Sequence, residues 1–236
     1  TIEKQFDTYT SELYELASRL DQLKRPVIIY IGGAPGTGKS MLATSLATRL
    51  GINKVISTDS IREIMRLAFS NDLLPTLFHS TTEAWKGLPM EFQSSEQLIT
   101  GYCLQANQVS LGVRAVVERT VEERENLIVE GAHLVPFLHE IAKKEMVDAY
   151  HIPITLSIMN EKHHRERFSE RGTKNLRKIE NFYLERFDGI RSIHEYTLTQ
   201  CETDEVEVFD NEDLDKTLNL IIQFSIQRLF KQVNSE

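Results

Sequence analysis

Val27-Ile28-Ile29-Tyr30-Ile31-Gly32-Gly33-Ala34-Pro35-Gly36-Thr37-Gly38-Lys39-Ser40 is the stretch on which the fold of this chain turns. Its first five residues are an apolar, β-branched run bounded by Pro26 and by Gly32-Gly33, which favours a buried strand over a helix. Gly33 to Ser40 match the spacing GxxxxGK[ST] without a gap. The glycines let backbone N–H groups turn inward around a polyphosphate with no Cβ in the way. Residues 39–50 return to helical spacing and stop at Gly51, so the positive end of that helix faces the same anion. Lys39 supplies a mobile charge for the β- and γ-phosphates, and the Ser40 hydroxyl a ligand for Mg²⁺. A glycine-rich turn can match such a pattern by accident, but the strand before it and the helix after it are the context that confirms a nucleotide site. Gly33, Ala34, Pro35, Gly36, Thr37, Gly38, Lys39, Ser40 and Met41 are the expected contacts to ATP or GTP.

Outward from this loop, strands and helices alternate. Residues 54–57 predict a second strand, and Ser60-Ile61-Arg62-Glu63 reads as a capping box opening a helix through Leu67. Residues 71–90 carry Pro75, Pro89, Gly87 and Trp85 with little periodicity and read as a partly helical insertion. A long helical pattern follows from Phe92 to Glu123, with breaks at Gly101 or Gly112 open to either reading. Leu127–Glu130 and residues 149–159 predict two more strands, with Pro153 tolerated near a strand start or at an edge. Residues 161–171 and 175–197 predict charged helices around Gly172-Thr173; 206–209 is a last strand and 212–231 a last helix. The alternation implies an α/β, three-layer fold of the P-loop NTPase type, a parallel sheet with helices on both faces. Residues 3–24 predict a separate N-terminal helix, with Phe6, Leu13, Leu16, Leu20 and Leu23 on one stripe.

Composition narrows the function. The 236 residues carry 27 Lys+Arg against 35 Asp+Glu, a net charge of −8. An acidic chain repels the phosphate backbone, which argues against a nucleic-acid partner. Cys103 and Cys201 are the only cysteines and form no CxxC, so neither a disulfide framework nor a zinc site is suggested. No apolar run approaches the roughly 20 residues of a membrane span, and the acidic residues of the first 25 positions do not resemble a signal peptide. A cytoplasmic protein with no membrane partner is expected.

Ligands of an open parallel sheet gather at the carboxyl ends of its strands. Asp59 and Glu130 fall there. Asp59 is read either as an acceptor of a hydroxyl proton beside the γ-phosphate or as a helix cap. Glu130 ends a buried run, costly for a carboxylate without a partner, which suggests a contact to Mg²⁺ or its water. His133 is as readily a surface histidine as a substrate contact. Phosphoryl transfer needs further cations. Arg167 and Arg171, four apart, share a helix face in the Arg-rich segment 162–175, which Gly172 could hinge as a lid; Arg62 and Arg66, one turn apart after Asp59, could reach an anionic acceptor. His163-His164 diverge by about 100° on a helix and make no shared metal site. Asp210-Asn211-Glu212-Asp213 reads as a cap for the last helix, its loop near the nucleotide base.

Taken together, Gly32-Gly33…Gly38-Lys39-Ser40, Val55 through Arg66 (VISTDSIREIMR), Leu74-Pro75-Thr76-Leu77 with Glu83-Ala84-Trp85, and Val129-Glu130-Gly131-Ala132-His133-Leu134 resemble the 2-phosphoglycerate kinase family, from about residue 26 to 210. The resemblance implies a small-molecule kinase domain over 26–236, with a helical substrate insertion at 68–125, beside the N-terminal helix of 1–25. It implies ATP-dependent phosphorylation of 2-phosphoglycerate to 2,3-bisphosphoglycerate, with Mg²⁺ and a small anionic substrate. On that model Lys39, Asp59, Arg167 and Arg171 would be catalytic, Asp59, Arg62, Arg66 and His133 would bind substrate, and Ser40 and Glu130 would serve the metal. Other acceptors stay open: an inositol phosphate, a nucleoside or an activated sugar. So does a nucleotide-dependent regulatory switch with no small acceptor.

Overall fold

The computed structural model describes residues 20, 23–89, 96–138, 140, 148–170 and 177–234. Five strands, β1 (Val27–Gly32), β2 (Lys54–Ser57), β3 (Leu127–Glu130), β4 (Tyr150–Ser157) and β5 (Glu207–Asp210), form one parallel sheet in the order β2-β3-β1-β4-β5. Seven described α-helices join them: α1 (Lys39–Leu50), α2 (Thr58–Ala68), α3 (Gln97–Glu122), α4 (Glu161–Glu170), α5 (Arg177–Glu185), α6 (Phe187–Asp204) and α7 (Leu214–Asn234).

Alternation along β1 decides the layers. Val27, Ile29 and Ile31 face α1 and α7, packing with Leu42, Leu46, Leu218 and Ile222. Ile28 and Tyr30 face the opposite side, where α2, α3 and α6 supply Ile61, Val109, Val113, Val117 and Cys201. Every β1 residue is buried, as both faces of a central parallel strand must be. The chain leaves β1 for the far edge and returns through β3, so β1 and β3 flank the point where winding reverses. Their carboxyl ends open the crevice that holds ligands in such sheets.

Several expectations shift in detail. Helix α2 opens at Thr58, not after Ser60: the Ser57 hydroxyl accepts from the Ser60 N–H at 3.1 Å, so Ser57 is the cap and Asp59 lies in the first turn. Helix α3 runs unbroken through both glycines, because each marks a close approach rather than a break. A Cβ on Gly101 would strike the Ala84–Trp85 backbone, and one on Gly112 the Ile61 side chain. The predicted 175–197 helix is two helices with the break at Arg186. Residues 71–90 hold two 3₁₀ helices, Pro75–Phe78 and Thr81–Gly87. Pro153 sits within β4, an interior strand; Tyr150 N–H points to β1, so by alternation the Pro153 nitrogen faces the other side, where pairing with β5 begins only at Ile154. The N-terminal helix falls almost wholly outside the described residues; Leu20 is buried against the α1–α7 layer and Leu23 packs beside it.

Candidate active site

The loop after β1 has the backbone its glycines were expected to permit: Gly33, Gly36 and Gly38 take φ values of 137°, 86° and 90°. Lys39 is 8% exposed and donates from Nζ to the Ala34 carbonyl at 2.8 Å, and the Thr37 hydroxyl donates to the same oxygen at 2.9 Å. The Lys39 ammonium thus lies folded across the mouth of the loop. Met41 is 64% exposed on the first turn of α1.

Ser40 and Glu130 come together. Ser40 Oγ donates to Glu130 Oε1 at 3.0 Å, and the Glu130 residue is 7% exposed. Two hard oxygen donors at that spacing suit Mg²⁺, which takes one or two protein oxygens and fills its other positions with water and phosphate. Among the described residues no group of three or more His, Cys, Asp or Glu is arranged to hold a metal on its own.

Three residues beyond the same strand end, His133 is 2% exposed, so the surface reading of it was wrong. Gln105 Nε2 donates to the Thr76 and His79 carbonyls, which turns its Oε1 toward His133 Nε2 at 3.0 Å. The His133 proton is therefore on Nε2, and Nδ1 accepts from the Thr58 hydroxyl at 2.8 Å. Burial pushes this imidazole down to about 4; Asp59 opposes the shift, while Arg62 and Lys39 reinforce it. Lys39, Asp59, Arg62 and His133 thus share one electrostatic neighbourhood. Thr58 lies within the VISTDSIREIMR segment but was given no role of its own there, and Gln105 lies in no motif.

The arginines are differently engaged. Arg62 donates to the His79 carbonyl and to Glu63 Oε1, the latter at 2.9 Å. Arg66 pairs with the same Glu63 at 2.8 Å and lies 5.3 Å over the Phe78 ring. Arg167 donates to the carbonyls of Thr37, Asn211 and Glu212, on the outer flank of the loop beside β5. Arg171 and the hinge at Gly172 lie outside the described residues. The structure adds Glu83 and Arg186, whose carboxylate and guanidinium meet at 3.0 Å and join the second 3₁₀ helix to the α5–α6 break.

A family model described as an AAA domain matches residues 29–188. The 2-phosphoglycerate kinase of Methanopyrus kandleri is 36% identical over 231 residues, covering 97% of this chain and 69% of that protein. The 2-phosphoglycerate kinase of Methanocaldococcus jannaschii is 40% identical over 204 residues, covering 85% and 64%. The chain thus spans 64% to 69% of the length of these two relatives. A solved gluconokinase from Sinorhizobium meliloti matches with a TM-score of 0.50 at 13% identity, covering 89% of this chain and 99% of that one; this likeness speaks for the fold alone. No helix among the described residues is long and apolar enough to cross a membrane. With the loop geometry, the sheet order and these relatives in agreement, the chain belongs to the 2-phosphoglycerate kinase family.

Proposed function

We propose that the chain transfers the γ-phosphoryl group of ATP to the free hydroxyl of 2-phosphoglycerate, giving 2,3-bisphosphoglycerate. The observation that carries it is the field that Lys39, Asp59 and Arg62 exert on buried, neutral His133, together with the Ser40–Glu130 pair at the end of β3. Phosphoryl transfer is mostly positioning and charge stabilisation. Residues 33–41 hold the triphosphate, with Lys39 leaving its Ala34 partner for the β- and γ-phosphates. Ser40 and Glu130 are the residues that would hold Mg²⁺ or its water, which would supply neutralisation of charge on the phosphates. Asp59 accepts the proton of the acceptor hydroxyl. Arg62, and less directly Arg66, meet the acceptor's carboxylate and phosphate. His133, fixed as the Nε2–H tautomer, shapes the acceptor side without adding charge. Arg167, from its seat on the outer flank of the loop, and Arg171 stabilise charge on the transferring phosphoryl group. Residues 26–236 act as one kinase domain, with 68–125 supplying the acceptor pocket and 1–25 an additional N-terminal segment. Two free thiols fit a reducing cytoplasm.

An acceptor panel tests this. ATP consumption and 2,3-bisphosphoglycerate formation are followed with 2-phosphoglycerate, inositol phosphates, nucleosides and activated sugars. Stimulation by 2-phosphoglycerate alone, with stoichiometric product, is expected. Stimulation by another acceptor only would overturn the substrate and keep the kinase; slow turnover indifferent to every acceptor would favour a nucleotide-dependent switch.

A further inference from the structure

The outer side of the phosphate-binding loop is held by groups that no motif accounts for. Helix α4 turns His164, Arg167 and Phe168 toward it, the i, i+3 and i+4 positions of one face. His164 is fully buried, and its Nε2 lies 2.8 Å from the Pro35 carbonyl oxygen. Arg191 Nη1 points a donor at His164 Nδ1, 3.4 Å away, while it also donates to the Ile158 carbonyl at 3.0 Å. A donor facing Nδ1 leaves the ring proton on Nε2, where it serves Pro35. The rings of Phe168, Phe187 and His194 surround the imidazole at centroid distances of 5.6, 5.5 and 5.7 Å. Gly36, at φ 86°, leaves no gap between loop and helix: a Cβ there would run into Phe168 and lie 2.9 Å from His164 Nε2.

The consequence follows from the peptide plane. Among the described residues every peptide bond is trans, and in a trans peptide the C=O and N–H point in opposite directions. With the Pro35 carbonyl turned out to His164, the Gly36 N–H is turned away from α4. On the other flank Asn211 Nδ2 donates to the Thr37 carbonyl at 2.8 Å, which turns the Gly38 N–H away in the same manner. We propose that His164 is a positioning residue for nucleotide binding: by donating to the Pro35 carbonyl it orients the Pro35–Gly36 peptide so that the Gly36 N–H faces the polyphosphate. This rests on the nucleotide site proposed above but on no particular acceptor. Burial holds the His164 imidazole down at about 4, with the Pro35 bond opposing and Arg191, Lys39 and Arg167 adding to the shift, so the ring works neutral at ordinary pH.

Two variants test it: His164→Phe keeps a ring and loses the donor, and His164→Gln keeps an N–H of similar reach. Binding of Mg²⁺ with a non-hydrolysable ATP analogue is measured by calorimetry, and KM for ATP and kcat by turnover. His164→Phe is expected to weaken analogue binding and raise KM for ATP by about tenfold or more, moving kcat less. His164→Gln is expected to recover binding to within about threefold of wild type. In ¹⁵N-glycine-labelled protein, the Gly36 amide should shift on analogue binding in wild type and His164→Gln, and much less in His164→Phe. Phe-variant binding within about twofold of wild type, or a Gln variant as weak as the Phe variant, overturns the proposal. Should His164→Phe fail to fold, the imidazole ¹⁵N spectrum of wild type decides: a proton on Nδ1 of His164 overturns it, one on Nε2 supports it. Wild type binding no nucleotide would sink the nucleotide reading itself; wild type binding with indifferent variants would sink only the role of His164.

Discussion

Ser40 Oγ donates to Glu130 Oε1 across 3.0 Å, tying the first turn of α1 to the last residue of β3. The bond gives a buried carboxylate a hydrogen-bond partner, and it sets two oxygens side by side for a divalent ion. Glu130→Gln keeps the size and a hydrogen bond but removes the charge that attracts a divalent ion. The Mg²⁺ concentration for half-maximal activity should rise about 10- to 100-fold, read from activity over a magnesium series. An unchanged requirement would remove Glu130 from the metal site.

Lys39 and Asp59 should fail in different ways. Lys39→Ala takes away the cation folded across the mouth of the loop, and should abolish nucleotide-dependent activity. Its loss should exceed that of Arg167→Ala, since Arg167 is already engaged by three backbone carbonyls. Asp59→Asn should lower kcat by about 10²- to 10⁴-fold with KM for ATP nearly constant. Steady-state kinetics with ATP varied separates them; a raised KM with unchanged kcat in Asp59→Asn would exclude it as the base.

The loop and the layer order were legible because both are local patterns: a gapless motif between an apolar run and a helical one, and strands alternating with helices. What escaped depends on distant partners. His133 owes its burial to Thr58 and Gln105, 75 and 28 residues away, so its own neighbours in sequence could not separate a surface ring from an interior one. The start of α2 was misplaced because Ser57 and Ser60 are equally competent caps, and only the end of β2 chooses between them. No Gly or Pro marks the α5–α6 break at Arg186. His164 stood among charges in α4, and only its i, i+4 spacing to Phe168 hinted at a buried face.

Burial of His133 makes stability depend on pH. The unfolded imidazole takes a proton near 6.5, while the folded one resists until about 4. Between these values the unfolded state binds more protons, so stability rises with pH. The contribution is whole above 6.5 and is lost as pH falls to about 4, amounting to roughly 3 kcal/mol at most. Urea unfolding at stepped pH should show this slope in wild type and a shallower one in His133→Gln. Equal slopes would mean that His133 titrates alike in both states.

Glu83 accepts from Arg186 at 3.1 Å and from Ser80 at 3.0 Å, with Lys86 alongside, and Arg186 in first place holds its carboxyl down at about 2. The Arg186 guanidinium also lies 3.8 Å over the Phe182 ring. Arg186→Lys keeps the charge but loses the planar fork and the stacking, so it should rescue little. Both Arg186→Lys and Arg186→Met should cost about 1–3 kcal/mol in denaturant unfolding. KM for the acceptor should rise more than KM for ATP, because the pair braces the insertion and not the loop. A lysine variant as stable as wild type would show that charge alone suffices.

Gly101 and Gly112 lie in the same helix, where alanine normally gains about 1 kcal/mol over glycine. At Gly101 the gain should reverse. An added Cβ there meets main chain, with the Ala84 carbonyl carbon at 2.8 Å and Trp85 nearer still, and a 3₁₀ backbone cannot rotate aside. At Gly112 the obstacle is the Ile61 Cγ2 methyl, which a rotamer change can move. Gly101→Ala should therefore lose about 1–3 kcal/mol, and also disturb Gln105, one turn on, which bonds the Thr76 and His79 carbonyls. Gly112→Ala should lose less, helix propensity offsetting part of the strain. Urea midpoints of the two variants give the order directly; Gly112→Ala proving the more damaging would mean that α3 is anchored at Ile61 rather than at Trp85.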